Sequence, residues 1–135
     1  MTARGEAVAA GAHACVGARF RLHGREREHG LDCVGVVAAG LSAAGHTVSV
    51  PTGYRMRGGD AARWQALLMG AGLVRDCRVS TGDILLCLAG PAQFHLAVAV
   101  AGGVVHADAG LGRVVMLPGT PPWPVLSRWR IEESG

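Results

Sequence analysis

Residues 30–37, Gly-Leu-Asp-Cys-Val-Gly-Val-Val, constrain the fold of this chain more than any other segment. From Cys33 to residue 44 almost every position is apolar, so the pattern predicts a helix that is buried on most of its faces. Such a helix must be covered by other elements. Gly35 and Gly40 lower its helix propensity but allow a neighbouring element to approach closely, and Gly45 is a suitable stop.

Cys33 stands at the predicted start of this helix. A thiol there faces the positive end of the helix dipole and unpaired backbone N–H groups, which favour the nucleophilic thiolate. The same N–H groups can stabilise an oxyanion after the sulfur attacks a carbonyl. His95 begins a later apolar strand and is the candidate general base. Together the two residues predict a cysteine hydrolase.

The composition sets broad limits on the class of protein. With 135 residues the chain is long enough to bury a core, and we expect residues 1–135 to form a single domain. Half of the residues are hydrophobic, which argues against disorder. The net charge of +3 is mild and the arginines are scattered among acidic residues, so nucleic-acid binding is not expected.

The sequence also bears on compartment and cofactors. No segment approaches the ~20 apolar residues of a membrane span, and the first residues lack the pattern of a signal peptide. We therefore expect synthesis in the cytoplasm and no membrane span. The four cysteines form no Cys-x-x-Cys pair and the histidines share no metal-ligand spacing, so neither a metal nor a cofactor is expected.

The hydrophobic pattern changes along the chain. Helical spacing predicts helices over residues 6–18, 33–44 and 60–69, the last capped by Asp60. Residues 19–32 are predicted to form an irregular charged loop. Short apolar runs with glycine-rich turns then predict about five strands, at residues 84–88, 95–101, 104–107, 114–117 and 126–131. Helices followed by an antiparallel meander predict an α+β domain.

These motifs together resemble the NlpC-type cell-wall cysteine peptidases, a bacterial branch of the papain-like fold. That family has Asp-Cys-Ser-Gly-Leu at the start of a buried helix, matched here by Asp-Cys-Val-Gly-Val at residues 32–36. A Gly-Asp pair opens the first strand of its sheet, as at residues 82–83. Its base histidine begins the next strand, as His95 does, and a third polar residue stands in Ile-His-Ala, matched by His106. The four motifs occur in the family's order.

The resemblance implies a papain-like fold in which the nucleophile helix packs on the antiparallel sheet. It implies a cysteine endopeptidase that cleaves peptidoglycan stem peptides, commonly between D-glutamate and diaminopimelate. The segment before the nucleophile is similar to that of compact members encoded beside phage-tail or gene-transfer-agent genes. For such a member we expect tail hub or baseplate proteins as partners and a place in a phage-like particle.

His106 is the candidate third member of a triad, in which it would orient His95. If residues 102–103 form a two-residue turn, His106 faces Ala99 and lies roughly 13 Å from His95. If residues 100–103 form a four-residue loop, His106 faces Ala97 and the histidine backbones are roughly 7–8 Å apart. Spacing alone leaves both registers open, and the family resemblance implies the second.

Asp32, Phe20 and Arg21 are the candidate substrate-binding residues. Asp32 either caps the helix or meets the cationic end of a substrate, and the two roles are compatible. Its carboxylate opposes ionisation of the neighbouring thiol. Phe20 matches a position where the family commonly has tyrosine, so we expect the site to lack a hydroxyl. Arg21, Arg25 and Arg27 are candidates to bind the carboxylates of a peptide substrate. The simpler interpretation is that they lie in a solvated loop.

Two other functions fit the same residues. An amidase or acyltransferase would use the same cysteine and histidine on another amide or thioester. A structural tail-tip adaptor would keep the fold with little activity, and its Cys33 would be unreactive.

Overall fold

The computed structural model describes residues 2–48, 54–55 and 58–132. Over these residues the chain forms three helices, α1 (Ala3–His13), α2 (Cys33–Ala43) and α3 (Ala61–Gly70). The strands are β1 (Arg25–Glu26), β2 (Gly30–Leu31), β3 (Leu73–Asp76), β4 (Ile84–Gly90), β5 (Gln93–Val100), β6 (Gly103–Asp108), β7 (Arg113–Pro118) and β8 (Val125–Ile131). The α+β prediction is confirmed.

Short polar side chains start all three helices. Asp32 and Asp60 cap α2 and α3 by accepting backbone N–H bonds three residues ahead, as the sequence predicts. The first helix begins earlier than predicted because the Thr2 hydroxyl caps it, accepting the Gly5 N–H at 2.9 Å. It also ends earlier, in a turn that leads to Gly17 with a φ of 93°.

Helices α1 and α2 pack closely because glycine removes the side chain where they meet. A Cβ atom on Gly40 would lie 2.9 Å from the Val8 carbonyl oxygen of α1. A Cβ atom on Gly35 would collide with the Gly24 carbonyl oxygen, in the segment that precedes the nucleophile. The predicted close approach at these two glycines is therefore confirmed.

The main sheet has six antiparallel strands in the order β3-β8-β4-β5-β6-β7, against the five predicted. The extra strand is β3, a short edge strand in the middle of the chain, and its partner β8 is the last of the eight strands. A second difference is the small β1–β2 ladder inside the predicted charged loop. Both missed elements are too short to give a periodic signal of their own.

The register between β5 and β6 decides where the two histidines lie. Val100 lies opposite Gly103, so residues 101–102 form a two-residue turn. This register, carried to the next positions, puts His106 opposite Ala97. This register is the one implied by the family resemblance. The four-residue loop at residues 100–103 is wrong, because Val100 and Gly103 still pair and the turn has two residues.

The sheet separates two apolar clusters. Ile84 and Leu86 of β4 belong to the main core under the helices, whereas Leu85 and Cys87 belong to a smaller cluster. Since successive strand side chains point to opposite faces, the smaller cluster lies on the face away from α2. Trp123 packs on that second cluster. None of the helices in the described part of the chain has the length and apolar character needed to cross a membrane.

Candidate active site

Cys33 is the first residue of α2 and its side chain is fully buried, at 0% exposure. Its sulfur accepts a hydrogen bond from the backbone N–H of Leu96 on β5, and the N–H groups of Cys33 and Val34 also act on it. Leu96 follows His95 directly in the chain. The fold therefore brings the predicted nucleophile against the strand that carries the predicted base.

Burial controls the ionisation of this thiol. It raises the pKa of Cys33 to about 12, while the backbone N–H of Leu96 acts in the opposite direction and the Asp32 carboxylate adds to the rise. The helix N–H groups lower the pKa, as predicted from the sequence, but burial outweighs them. The buried thiol is therefore protonated at neutral pH and needs a base to ionise.

His95 and His106 form a direct pair. The Nε2 atom of His95 lies 2.9 Å from Nδ1 of His106, and the rings meet edge to face with centroids 5.0 Å apart. His106 is buried, and its Nε2 atom has no hydrogen-bond partner among residues 2–48, 54–55 and 58–132. The contact restrains the His95 ring through its Nε2 atom, so Nδ1 is the ring nitrogen that is not engaged with His106.

Trp123 covers both imidazoles. Its ring centroid lies 4.9 Å from that of His95 and 4.7 Å from that of His106, in edge-to-face contacts. Burial, together with the neighbouring His106, lowers the pKa of His95 to about 4, and Asp108 opposes the change. Burial also lowers the pKa of His106. Both rings are therefore neutral at pH 7, as a general base must be before it accepts a proton.

Asp32 is completely buried and accepts hydrogen bonds on both oxygens. Oδ1 accepts the Gly35 N–H at 2.9 Å and the Arg25 guanidinium at 3.0 Å. Oδ2 accepts the His23 N–H at 2.8 Å and the Tyr54 hydroxyl. Its role as helix cap is confirmed, and the same carboxylate ties the preceding loop to the start of α2.

Tyr54 places a hydroxyl next to the nucleophile helix. Its oxygen also accepts a hydrogen bond from Arg25 Nη2 at 2.8 Å. Burial, together with hydrogen bonding to Asp32, raises the pKa of Tyr54. The expectation from Phe20 that the site lacks a hydroxyl is thus corrected, because a different loop supplies one. Tyr54 is the only tyrosine in the sequence and stands outside any periodic segment, so no local signal indicated this contact.

Phe20 and Arg21 lie beside β2, the short strand that precedes Cys33 and α2. Phe20 forms a β-bridge with Leu31 and packs half-buried against the main core. The Arg21 N–H donates to the Leu31 carbonyl at 3.1 Å, and its side chain is exposed. A substrate-binding role for both residues stays a prediction, as it does for Asp32.

The remaining cysteines differ in their surroundings. Cys15 and Cys87 are buried, whereas Cys77 is exposed. Within the described ranges, no three His, Cys, Asp or Glu side chains are grouped closely enough to hold a metal ion.

Solved structures share this fold. The chain superposes on NlpC2 from Trichomonas vaginalis with a TM-score of 0.66 and 19% identity, covering 96% of this chain and 48% of that one. The NlpC/p60 domain of the peptidoglycan hydrolase SagA gives a TM-score of 0.58 and 21% identity, covering 84% and 88%. The P60 domain of an antigen from M. avium subspecies paratuberculosis gives 0.60 and 18%, covering 97% and 96%.

These likenesses establish an NlpC/P60-like fold. The chain spans about half the length of the Trichomonas protein. No family model matches the sequence, and no curated protein does.

Proposed function

We propose that this protein is a cysteine peptidase that hydrolyses stem peptides of peptidoglycan. The observation that carries the proposal is the position of Cys33, at the start of a buried helix and against the strand of a paired histidine. The fold is shared with a domain of a peptidoglycan hydrolase, which agrees with the proposal.

The chemistry follows from the positions of the groups. The His95 Nδ1 atom takes the proton of the Cys33 thiol as the sulfur attacks the scissile carbonyl, and a C–S bond forms. The N–H groups of Cys33 and Val34 stabilise the negative charge that develops on the carbonyl oxygen. The proton then passes from His95 to the leaving amine as the C–N bond breaks, which leaves an acyl group on Cys33. Water, activated by His95, hydrolyses this thioester.

The substrate bond and the cellular setting belong to the same proposal. The resemblance to NlpC-type peptidases favours the bond between D-glutamate and diaminopimelate. Its branch associated with phage tails and gene-transfer agents favours a protein that acts on the wall as part of a phage-like particle. Tail hub or baseplate proteins are then its partners.

Digestion of purified muropeptides tests the proposal. Wild-type protein and the Cys33→Ala variant are compared by mass spectrometry, with circular dichroism to check that the variant is folded. New stem-peptide fragments from the wild type alone would establish a peptidase and identify the bond.

One observation favours the alternative of an inactive tail-tip adaptor, namely the complete burial of Cys33. If neither protein releases products from good substrate, simple wall hydrolysis is contradicted. Assays with other amides and thioesters would then separate an amidase or acyltransferase from the adaptor, whose Cys33 would also resist small alkylating reagents.

A further inference from the structure

We propose that Arg25 is a positioning residue that allows the buried carboxylate of Asp32 to lie beside the nucleophile without suppressing ionisation of Cys33. The inference rests on the proposed role of Cys33 and deepens it. It assigns a part in thiol activation to an arginine in a segment that the sequence predicts to be a solvated loop.

The guanidinium of Arg25 is held in place on several sides. Its Nη1 atom donates to Asp32 Oδ1 at 3.0 Å and to the Gly24 carbonyl at 2.9 Å. Its Nη2 atom donates to the Tyr54 hydroxyl at 2.8 Å, and that hydroxyl in turn contacts Asp32. The Arg25 side chain is 24% exposed and that of Asp32 is 0% exposed, so water screens this pair weakly.

A buried carboxylate next to a thiol is an obstacle to a cysteine nucleophile, since two adjacent negative charges repel each other. The other donors to Asp32 are neutral: the His23 N–H, the Gly35 N–H and the Tyr54 hydroxyl. These donors stabilise the carboxylate by hydrogen bonding but carry no charge that would cancel its own. Arginine stays protonated at all working pH values, so Arg25 provides a permanent compensating charge.

The two histidines and Tyr54 do not supply a positive charge that would compensate Asp32 at neutral pH. His95 approaches from β5 and contacts His106 on β6, and burial lowers the pKa of both histidines. Tyr54 approaches from the loop before α3, and its pKa is raised. At neutral pH these three side chains are uncharged. The His23 imidazole contacts Tyr54, and only the backbone N–H of His23 donates to Asp32. The cation that contacts the Asp32 carboxylate directly is the Arg25 guanidinium.

Alkylation of individual cysteines by iodoacetamide, followed by mass spectrometry, tests the inference without any substrate. We expect Arg25→Met to slow alkylation of Cys33 at pH 7.5 by about tenfold, the equivalent of one pKa unit. Arg25→Lys, which keeps the charge, should stay close to wild type. Adding Asp32→Asn to Arg25→Met should restore the rate, because asparagine still caps the helix but carries no charge.

The controls lie in the same molecule. The exposed Cys77 gives the reference rate in every sample, and protection of the buried Cys15 and Cys87 shows that each variant is folded. Arg63→Met removes the same charge from the exposed surface of α3 and should leave the Cys33 rate unchanged.

The outcomes separate this inference from the proposed function. If the double variant is as slow as Arg25→Met, or if Arg25→Met matches wild type, the compensating role of Arg25 is overturned while Cys33 remains a reactive nucleophile. If wild-type Cys33 reacts no faster than Cys15, the proposed nucleophile itself is contradicted, and the inference falls with it.

Discussion

The Nε2 atom of His95 lies 2.9 Å from the Nδ1 atom of His106, although the two residues are 11 positions apart in the chain. A tight turn between β5 and β6 brings them together on neighbouring strands. His95 lies near the start of β5, and the hydrogen bond to His106 limits rotation of its ring. The orientation of the His95 ring therefore depends on His106, which lies on the neighbouring strand.

We expect His106→Ala to lower kcat/KM on muropeptides by about 100-fold, because the His95 ring loses its hydrogen-bond partner and its preferred orientation. His106→Asn retains an oxygen acceptor and should recover part of the loss. His13→Ala, at an exposed position on α1, is the control. Equal activity of His106→Ala and wild type would exclude a positioning role for His106.

Stability should fall as the pH is lowered from 6.5 to about 4. Burial lowers the pKa of His95 from its ordinary value of 6.5 to about 4, so in this window the unfolded chain binds a proton that the folded protein does not. The contribution of the uncharged His95 to the free energy of unfolding is fully present above pH 6.5 and is lost by about pH 4. Within this window it changes by up to about 1.4 kcal/mol per pH unit.

Urea unfolding at pH 7.5 and pH 4.5 measures this effect. The difference between the two unfolding free energies should be smaller for His95→Gln than for wild type. His13→Gln, with an exposed side chain, should match wild type. An identical pH dependence in His95→Gln and wild type would contradict a buried neutral His95.

The parts of the site that could be predicted from sequence are those with a local signal. Cys33 and its buried helix follow from an apolar run that begins at a capping aspartate. His95 and His106 follow from two adjacent apolar strands, and even there the register needed a family resemblance. Local sequence patterns indicate these helices and strands, whereas the register that brings the two histidines together is a contact between strands.

The parts that could not be predicted are contacts between distant segments. Tyr54 meets Asp32 across 22 positions, from a stretch without periodicity. Trp123 contacts the two histidines from a proline-rich connection. Residues 73–76 form the strand β3 because they pair with β8. These features depend on how the elements pack, which a single sequence does not encode in any local pattern.

Close helix packing predicts that Gly40→Ala is destabilising by about 1–3 kcal/mol, because the added Cβ would lie 2.9 Å from the Val8 carbonyl oxygen. The matched control is Gly70→Ala at the end of α3, where a Cβ meets nothing within 4 Å. Helix propensity should make that variant equal to wild type or more stable by up to about 1 kcal/mol. Thermal unfolding compares the two, and a stable Gly40→Ala would show that the helices can separate without cost.

Trp123 should control the pKa of His95. Because its ring packs edge to face against both imidazoles, Trp123→Ala opens this side of the pair to water. Burial is the main cause of the low His95 pKa, so we expect the pKa of His95 to rise from about 4 towards 6.5. Titration of the imidazole nitrogens by NMR measures the shift, and the acid limb of kcat/KM should move with it. Trp123→Phe keeps an aromatic cover and should show a smaller change. If the His95 pKa is the same in Trp123→Ala and wild type, the strands alone desolvate the base.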